Sequence, residues 1–318
     1  MYDKIVVVTR RTRLEELVER FNTRGQAKFY VEHSGGDFAA YADEHDAYRR
    51  ALDRLQRDLD FGLQRQVVER SLVPTYAFGP RDLVVTLGQD GLVANTAKYV
   101  GEQPIVPVNP DPERFDGVLL PWLAEEARGA VEAALASRAA VRRVTLAEAV
   151  LDDGQRLLAF NDLFIGARSH VSARYRIRAG GAVEAQSSSG VLVSTGAGST
   201  GWMSSVFNMA RGIADFGGGR APEPVRLGWE DPRLFFAVRE PFVSRHSAAG
   251  VVAGWVPPGG EVVLESLMPS GGVIFSDGVE SDFVGFSSGA VARVRVAPHR
   301  AHLVVRREGE APPGKGRR

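Results

Sequence analysis

The texture of the chain changes once, near Arg143, and that change constrains the fold more than any single motif. Before it, short apolar runs alternate with helical patterns. Residues 5–8 (Ile-Val-Val-Val) read as a first strand. Thr12-Arg13-Leu14-Glu15 is a capping-box pattern, and Leu14, Leu17, Val18 and Phe21 then share one helical face, with Gly25 as the stop. Residues 29–31 read as a second strand. From 41 to about 68 the pattern is helical, with Tyr48, Leu52, Leu55 and Leu59 at helix spacing and Gly62 as an interruption. Strands at 83–86 and 104–108 follow, with helices over 94–99 and 125–138. Such alternation predicts a parallel sheet covered by helices.

After Arg143 strands come in quick succession, at 144–146, 157–165, 175–177, 190–195, 234–238, 261–264, 273–275 and 291–296. Turn residues such as Asp152-Asp153-Gly154, Gly180-Gly181 and Pro257-Pro258-Gly259-Gly260 separate them, and only 202–214 looks helical. This half predicts antiparallel sheets. The expected fold is therefore an α/β N-terminal domain at 1–142, a parallel sheet with helices, plus a β-rich antiparallel C-terminal domain at 143–307. The last strands of the second domain could pack back on the first. The Pro-, Gly- and Arg-rich tail at 308–318 is expected to be disordered.

Composition narrows the function classes. A length of 318 residues is enough for two domains with cores of their own. The net charge is zero, so no global field draws the chain to nucleic acid or to a membrane surface, and neither is expected as a partner. With no cysteine, disulfides, thiolate catalysis and Cys-based metal sites are excluded. No apolar run reaches the roughly 18 residues of a membrane span. The N-terminal apolar run is too short for a signal-peptide core, so a cytoplasmic protein is the default expectation.

Four loops carry candidate chemistry. Gly88-Gln89-Asp90-Gly91 follows the strand at 83–86 and precedes a helix. Glycines there allow a sharp turn and a close ligand, and the carboxylate stands at the carboxyl end of a strand, where open α/β sheets bind ligands. Taken alone, Asp-Gly is also ordinary turn chemistry. Asn109-Pro110-Asp111-Pro112-Glu113-Arg114 follows a strand of the same sheet, and a Pro-rich turn accounts for it equally well. Asn161-Asp162 could be a bulge. The small-residue loop from Ser194 to Gly201 lies between a strand and a helix, and its N–H groups and hydroxyls suit phosphate or ribose. The P-loop, the Gly-x-Gly-x-x-Gly fingerprint and the Gly-x-Ser-x-Gly elbow are all missing. His299 and His302 lie in a late strand-like segment and read as surface residues, so no protein metal site is expected.

In order, these loops resemble those of the NAD kinases, which share a superfamily with diacylglycerol and sphingosine kinases. Gly88-Gln89-Asp90-Gly91-Leu92 corresponds to the family's Gly-Gly-Asp-Gly-Thr, Asn161-Asp162 to its Asn-Glu, and Ser194 through Trp202 to its Ser-Thr-Pro-Thr-Gly-Ser-Thr-Ala-Tyr. Val108 through Arg114, Ser187-Ser188-Ser189-Gly190 and Val238-Arg239-Glu240-Pro241 look most like the mitochondrial-type branch. Ser276-Asp277-Gly278 looks like a late family segment. The resemblance covers roughly residues 80–300.

The resemblance implies a nucleotide-binding first domain, a dinucleotide-binding second domain and a site between them. It implies transfer of the ATP γ-phosphate to the 2′-hydroxyl of NAD's adenosine ribose, giving NADP, with Mg²⁺ accompanying ATP and a homo-oligomeric assembly. Asp90 would accept the hydroxyl proton, and Gly88 and Gly91 would leave room for phosphate oxygens. Asn161 and Asp162 would hold ribose hydroxyls. Thr200, Gly201, Trp202 and Ser205 would line the dinucleotide pocket, with Asn109 near the same crevice.

The chain departs from the family pattern at four places. Gln89 stands for a glycine, which would cost on the order of 1 kcal/mol if that backbone were left-handed. Leu92 lacks the threonine hydroxyl. Asp162 is a methylene shorter than Glu, and Ser189 stands where many bacterial members have Asp. Two further readings stay open: a kinase of this fold acting on another alcohol (a nucleoside, a sugar or a lipid-like alcohol), and a non-catalytic nucleotide-binding sensor.

Overall fold

A computed structural model describes residues 2–307, so the tail expected to be disordered lies outside the described residues. The chain divides into two compact units. One runs to Arg142 and is rejoined from His302, and the other is Arg143–Ala301. The segment from His302, assigned above to the second domain, thus groups with the first.

The first unit holds β1 (Lys4–Thr9), α1 (Arg13–Phe21), α2 (Arg24–His33), α3 (Phe38–Asp58), β2 (Gln64–Glu69), β3 (Asp82–Leu87), α4 (Asp90–Ala97), β4 (Pro104–Asn109), the short β5 (Trp122–Leu123) and α5 (Ala127–Leu135). Its strands are all parallel, in the order β2-β1-β3-β4, with β5 pairing the end of β4. Ile5, Val7, Leu83, Val85, Val106 and Val108 pack under α3 and α5, to which α3 contributes Tyr48, Ala51, Leu52, Leu55 and Leu59. The spacing of those five is that of one helix face. Thr12 closes the expected capping box: its N–H donates to Glu15 Oε2 at 2.8 Å, and its hydroxyl accepts from the Glu15 N–H.

The first unit differs from the sequence reading in several places. Residues 29–31 lie inside α2, because Thr23 caps a helix there and only Ala27 and Val31, four apart, are buried. Gly25 is within α2, and α1 ends instead at Asn22, which is left-handed with φ 66°. The long helix stops at Asp58. Gly62, at φ 69°, turns the chain, and 64–69 form edge strand β2, whose side chains are mostly exposed and so carry no apolar alternation.

The second unit contains most of β6 (Ala140–Leu151), then β7 (Arg156–Ala159), β8 (Asp162–Ala167), β9 (Ala173–Ala179), β10 (Ala182–Ser188), β11 (Val191–Ser194), α6 (Trp202–Phe216), β12 (Leu234–Val238), β13 (Ala253–Val256), β14 (Val262–Ser266), β15 (Gly272–Ser276) and β16 (Val279–Gly285). It also holds the greater part of β17 (Val291–Val305), whose His302 and Leu303 pair in parallel with β4 of the first unit's sheet. An antiparallel sheet runs β13-β12-β11-β8-β15-β16. Its Leu163, Ile165, Val193, Phe236 and Ile274 form a core with Ala147, Tyr175, Ile177, Leu264 and Val294 of the other strands. On that sheet's other face, Met203 and Phe207 of α6 pack against Leu192, Phe235 and Ala237. The single strand expected at 157–165 is two, β7 and β8, broken at Phe160-Asn161.

Candidate active site

In the first unit the candidate residues gather at the carboxyl edge of the parallel sheet. The chain leaves β1 toward β2 on one side and returns on the other as β3. That reversal is the switch point at which open α/β sheets bind ligands, outside the strand ends. Tyr48 fastens the two ends: its hydroxyl accepts the Arg10 N–H at 2.9 Å and donates to the Leu87 carbonyl at 3.1 Å. The Gly88 N–H then donates to the Val108 carbonyl at 3.2 Å, tying the loop to β4.

Gln89 is the N-cap of α4 with φ −96° and ψ 168°, extended backbone that any residue adopts. The strain expected from the missing glycine is therefore absent. Asp90 opens the helix, half-buried, and the Leu119 N–H donates to its Oδ1 at 2.7 Å. This aims the carboxylate and leaves Oδ2 for a ligand. A Cβ on Gly88 would stand 2.7 Å from Leu92 Cδ2. Leu92, 2% exposed, packs against Gly88 as a core residue, so this position has space for a glycine and not for a larger side chain. Gly91 has nothing within 4 Å of its Cβ position and is the open side of the loop. Asn109 is buried and its carboxamide is spent on its own loop, donating to the Phe115 carbonyl at 3.0 Å and accepting the Asp111 N–H at 3.0 Å.

In the second unit Asn161-Asp162 occupies the break between β7 and β8. The Asp277 carboxylate makes that break, accepting the N–H groups of Phe160 (3.0 Å), Asn161 (2.6 Å) and Asp162 (3.2 Å). Asp277 is left-handed at φ 53°, a conformation Asp tolerates better than most residues, and its own N–H donates to the Asp162 carbonyl at 3.0 Å. Asp162 is buried, and its pKa is pushed up to about 7, first by burial and then by the Asp277 charge.

The Ser194–Gly201 loop lies directly on this break. The Thr195 N–H donates to the Asn161 carbonyl at 2.9 Å, and its hydroxyl donates to the Phe160 carbonyl at 2.6 Å. A Cβ on Gly198 would collide with the Asn161 carbonyl oxygen, so this contact demands glycine. Helix α6 then starts at Trp202, after Gly201, with no side chain capping its first turn. Fifteen residues of aligned peptide dipoles end here at exposed Thr200, Gly201 and Ser205, an arrangement that favours an anion. Trp202 stacks on Phe164 (centroids 5.6 Å apart, planes at 14°), and Phe164 stacks on Phe275 at 4.8 Å. The Arg239 guanidinium lies 5.3 Å over the Trp202 ring. These groups, with Ser189 and Glu240, line a cavity of about 770 Å³.

Gly88, Asp90, Gly91 and Asn109 thus share one edge of the first unit, and Asn161, Asp162, Thr200, Gly201, Trp202 and Ser205 share one region of the second. Three contributions escape sequence reading. Arg10 directly follows β1, outside any motif. Phe164 and Phe275 are partners only through the β8–β15 register. Asp277 stands in the Ser276-Asp277-Gly278 segment quoted for the resemblance, but the N–H groups it accepts lie more than a hundred residues earlier in the chain, so no role is readable there.

No protein-family model matches the chain, and no curated protein matches it in sequence. Solved structures do. The yeast NADH kinase complexed with NADH aligns with a TM-score of 0.55 at 17% identity, over 97% of this chain and 85% of that one. An NAD kinase from Archaeoglobus fulgidus in complex with ATP gives a TM-score of 0.50 at 17% identity, over 95% and 93%. The likeness extends over both the α/β unit and the β-rich unit. The fold of this chain is that of the NAD kinases.

Proposed function

We propose that the protein is an NAD kinase, transferring the γ-phosphoryl group of ATP to the adenosine-ribose 2′-hydroxyl of NAD to give NADP and ADP. The observation that carries this reading is Asp90, held at the switch point of a parallel sheet with one carboxylate oxygen tied to the Leu119 N–H and the other available. The 2′-oxygen attacks the γ-phosphorus as its proton passes to Asp90. The bond from that phosphorus to the ADP oxygen breaks, and Asp90 returns the proton to water. In-line phosphoryl transfer otherwise needs positioning and charge neutralisation. Magnesium is the ion that accompanies ATP, part of the donor substrate. Among the described residues no three His, Asp or Glu side chains are grouped so as to hold one.

In the second unit, Asn161 and Asp162 hold ribose hydroxyls. The open start of α6 favours a phosphate, and Trp202 with Arg239 offers a flat cationic surface to a base. The similarity to a kinase complexed with NADH makes the reduced dinucleotide a second acceptor to test. A homo-oligomeric assembly belongs to the same reading.

The test is purified protein with ATP, Mg²⁺ and NAD or NADH, scored for the phosphorylated dinucleotide, beside Asp90→Asn. NADP from the parent protein and a near-complete loss in the variant are expected. Phosphorylation of a different alcohol, or nucleotide binding with no turnover at all, would overturn the reading.

A further inference from the structure

Arg10 is a nearly buried charged side chain with no part in the proposed transfer. It follows β1 directly, on the first-unit edge where Gly88 and Asp90 follow β3. Its Cδ lies 3.6 Å from where a Cβ on Gly88 would stand, and its guanidinium lies 5.3 Å from the Tyr48 ring and 5.7 Å from the Phe115 ring. Phe115 belongs to the stretch after β4 whose Leu119 holds Asp90. Arg10 therefore touches both segments that frame the proposed base.

The surroundings fix Arg10 without satisfying it. Its side chain is only 9% exposed. One terminal nitrogen pairs with Glu44 at 2.8 Å, and the other donates to the Arg11 carbonyl at 2.9 Å, while Nε is buried with no partner. Glu44, itself buried, is shared with Arg13, so two guanidinium groups divide one carboxylate. The neighbouring acids Glu15 and Glu19 pair with Arg49 and Arg11 instead. Arg10 thus keeps an open N–H donor in a desolvated place, which calls for an acceptor such as an anion. Arg10 also lines a cleft of about 580 Å³ outside the end of β1, with Thr9, Arg11, His45, Tyr48 and Glu69.

We infer that Arg10 binds a phosphate oxygen of the nucleotide donor beside the Gly88–Gly91 loop, supplying from just beyond β1 the polar contact that Leu92 cannot make. This rests on the kinase reading of the same loop. A planar, always-charged group suits a polyphosphate, and its pairing with Glu44 orients it before the donor arrives.

The experiment compares parent protein, Arg10→Lys and the double variant Arg10→Met/Glu44→Gln, which removes the buried pair together so that Glu44 is not left short of a cation. Titration with ADP, tripolyphosphate and NAD is read separately, beside thermal unfolding. At least a tenfold weakening of ADP and tripolyphosphate binding is expected in the double variant, with NAD binding unchanged within twofold and Arg10→Lys recovering part of the loss. In turnover, KM for ATP rises while KM for NAD stays put. Unchanged tripolyphosphate binding in the folded double variant would overturn the assignment, and so would equal weakening of all three ligands, which marks a structural role. A protein that makes no NADP yet binds tripolyphosphate through Arg10 would sink the acceptor assignment while leaving Arg10 in place.

Discussion

Asp90 and Asp162 are both aspartates at the edge of a sheet, and the protein treats them oppositely. Asp90 is half-buried at the start of a helix, with one oxygen held by a single N–H. Asp162 is buried beside a second carboxylate, Asp277, whose bonding capacity is spent on the backbone around it. The first arrangement keeps a charged oxygen ready at little structural cost. The second raises the energy of the charged form, so Asp162 sits near the middle of its titration at neutral pH. An open carboxylate suits the proton acceptor, and a half-protonated one suits a partner that gives or takes a hydrogen bond with a hydroxyl.

The largest effect expected from this contrast is on Asp90→Asn. Loss of a general base should lower kcat by about 10²–10⁴. Thermal unfolding should move little, because an asparagine oxygen can still accept the Leu119 N–H. A variant that loses activity by unfolding instead would show that Asp90 is a structural residue like Asp277, and the contrast would fail.

Two glycines extend the comparison to the loops. Gly198→Ala should destabilise the protein by roughly 3 kcal/mol or more, since its Cβ meets a carbonyl oxygen that cannot yield. Gly91→Ala, in helix α4 with nothing within 4 Å, should stabilise by about 0.5–1 kcal/mol. Denaturant midpoints of the pair decide it, and equal shifts would mean that the tight approach of the second-unit loop has been misjudged.

Asp162 gives a pH signature. Its folded pKa of about 7 lies above the ordinary value of 3.8. Below 3.8 both states are protonated and burial costs nothing. Between 3.8 and 7 the unfolded chain sheds this proton while the folded protein keeps it, so stability falls as pH rises, by up to about 1.4 kcal/mol per unit. Above 7 the cost is complete. Asp162→Asn should therefore gain stability over the parent progressively from pH 4 to pH 7, and then hold the gain. Parallel stability curves for the two proteins would show that the carboxylate is not desolvated.

Much of this was legible in the sequence. The β-rich half announced itself through frequent strands and turns, and β1, β3 and β4 of the parallel sheet were readable as buried apolar runs, because fully buried strands need no alternation. Edge strand β2 was not, because its side chains are mostly exposed. Residues 29–31 misled because three apolar residues in a row look like a strand, until the Thr23 cap and the Ala27–Val31 spacing outweigh them. Asp90 was found because a local motif surrounds it. Arg10 and Asp277 were not assigned roles, since each depends on partners that only the folded sheets bring near.

The smallest effect tests a residue that the sequence made suspect. A side chain at position 89 would be costly if the loop required left-handed backbone, yet Gln89 is extended at φ −96° and caps α4 with its carbonyl, which accepts the Leu92 N–H at 2.9 Å. Restoring glycine relieves no strain, because there is none, and adds flexibility to the unfolded chain. Gln89→Gly should thus be neutral or destabilising by no more than about 1 kcal/mol, with kcat within a factor of two of the parent. A clear rise in activity would mean that the loop turns left-handed when it takes up the donor. The open carboxylate of Asp90 would then belong to a resting arrangement, and the contrast with Asp162 would hold only before substrate arrives.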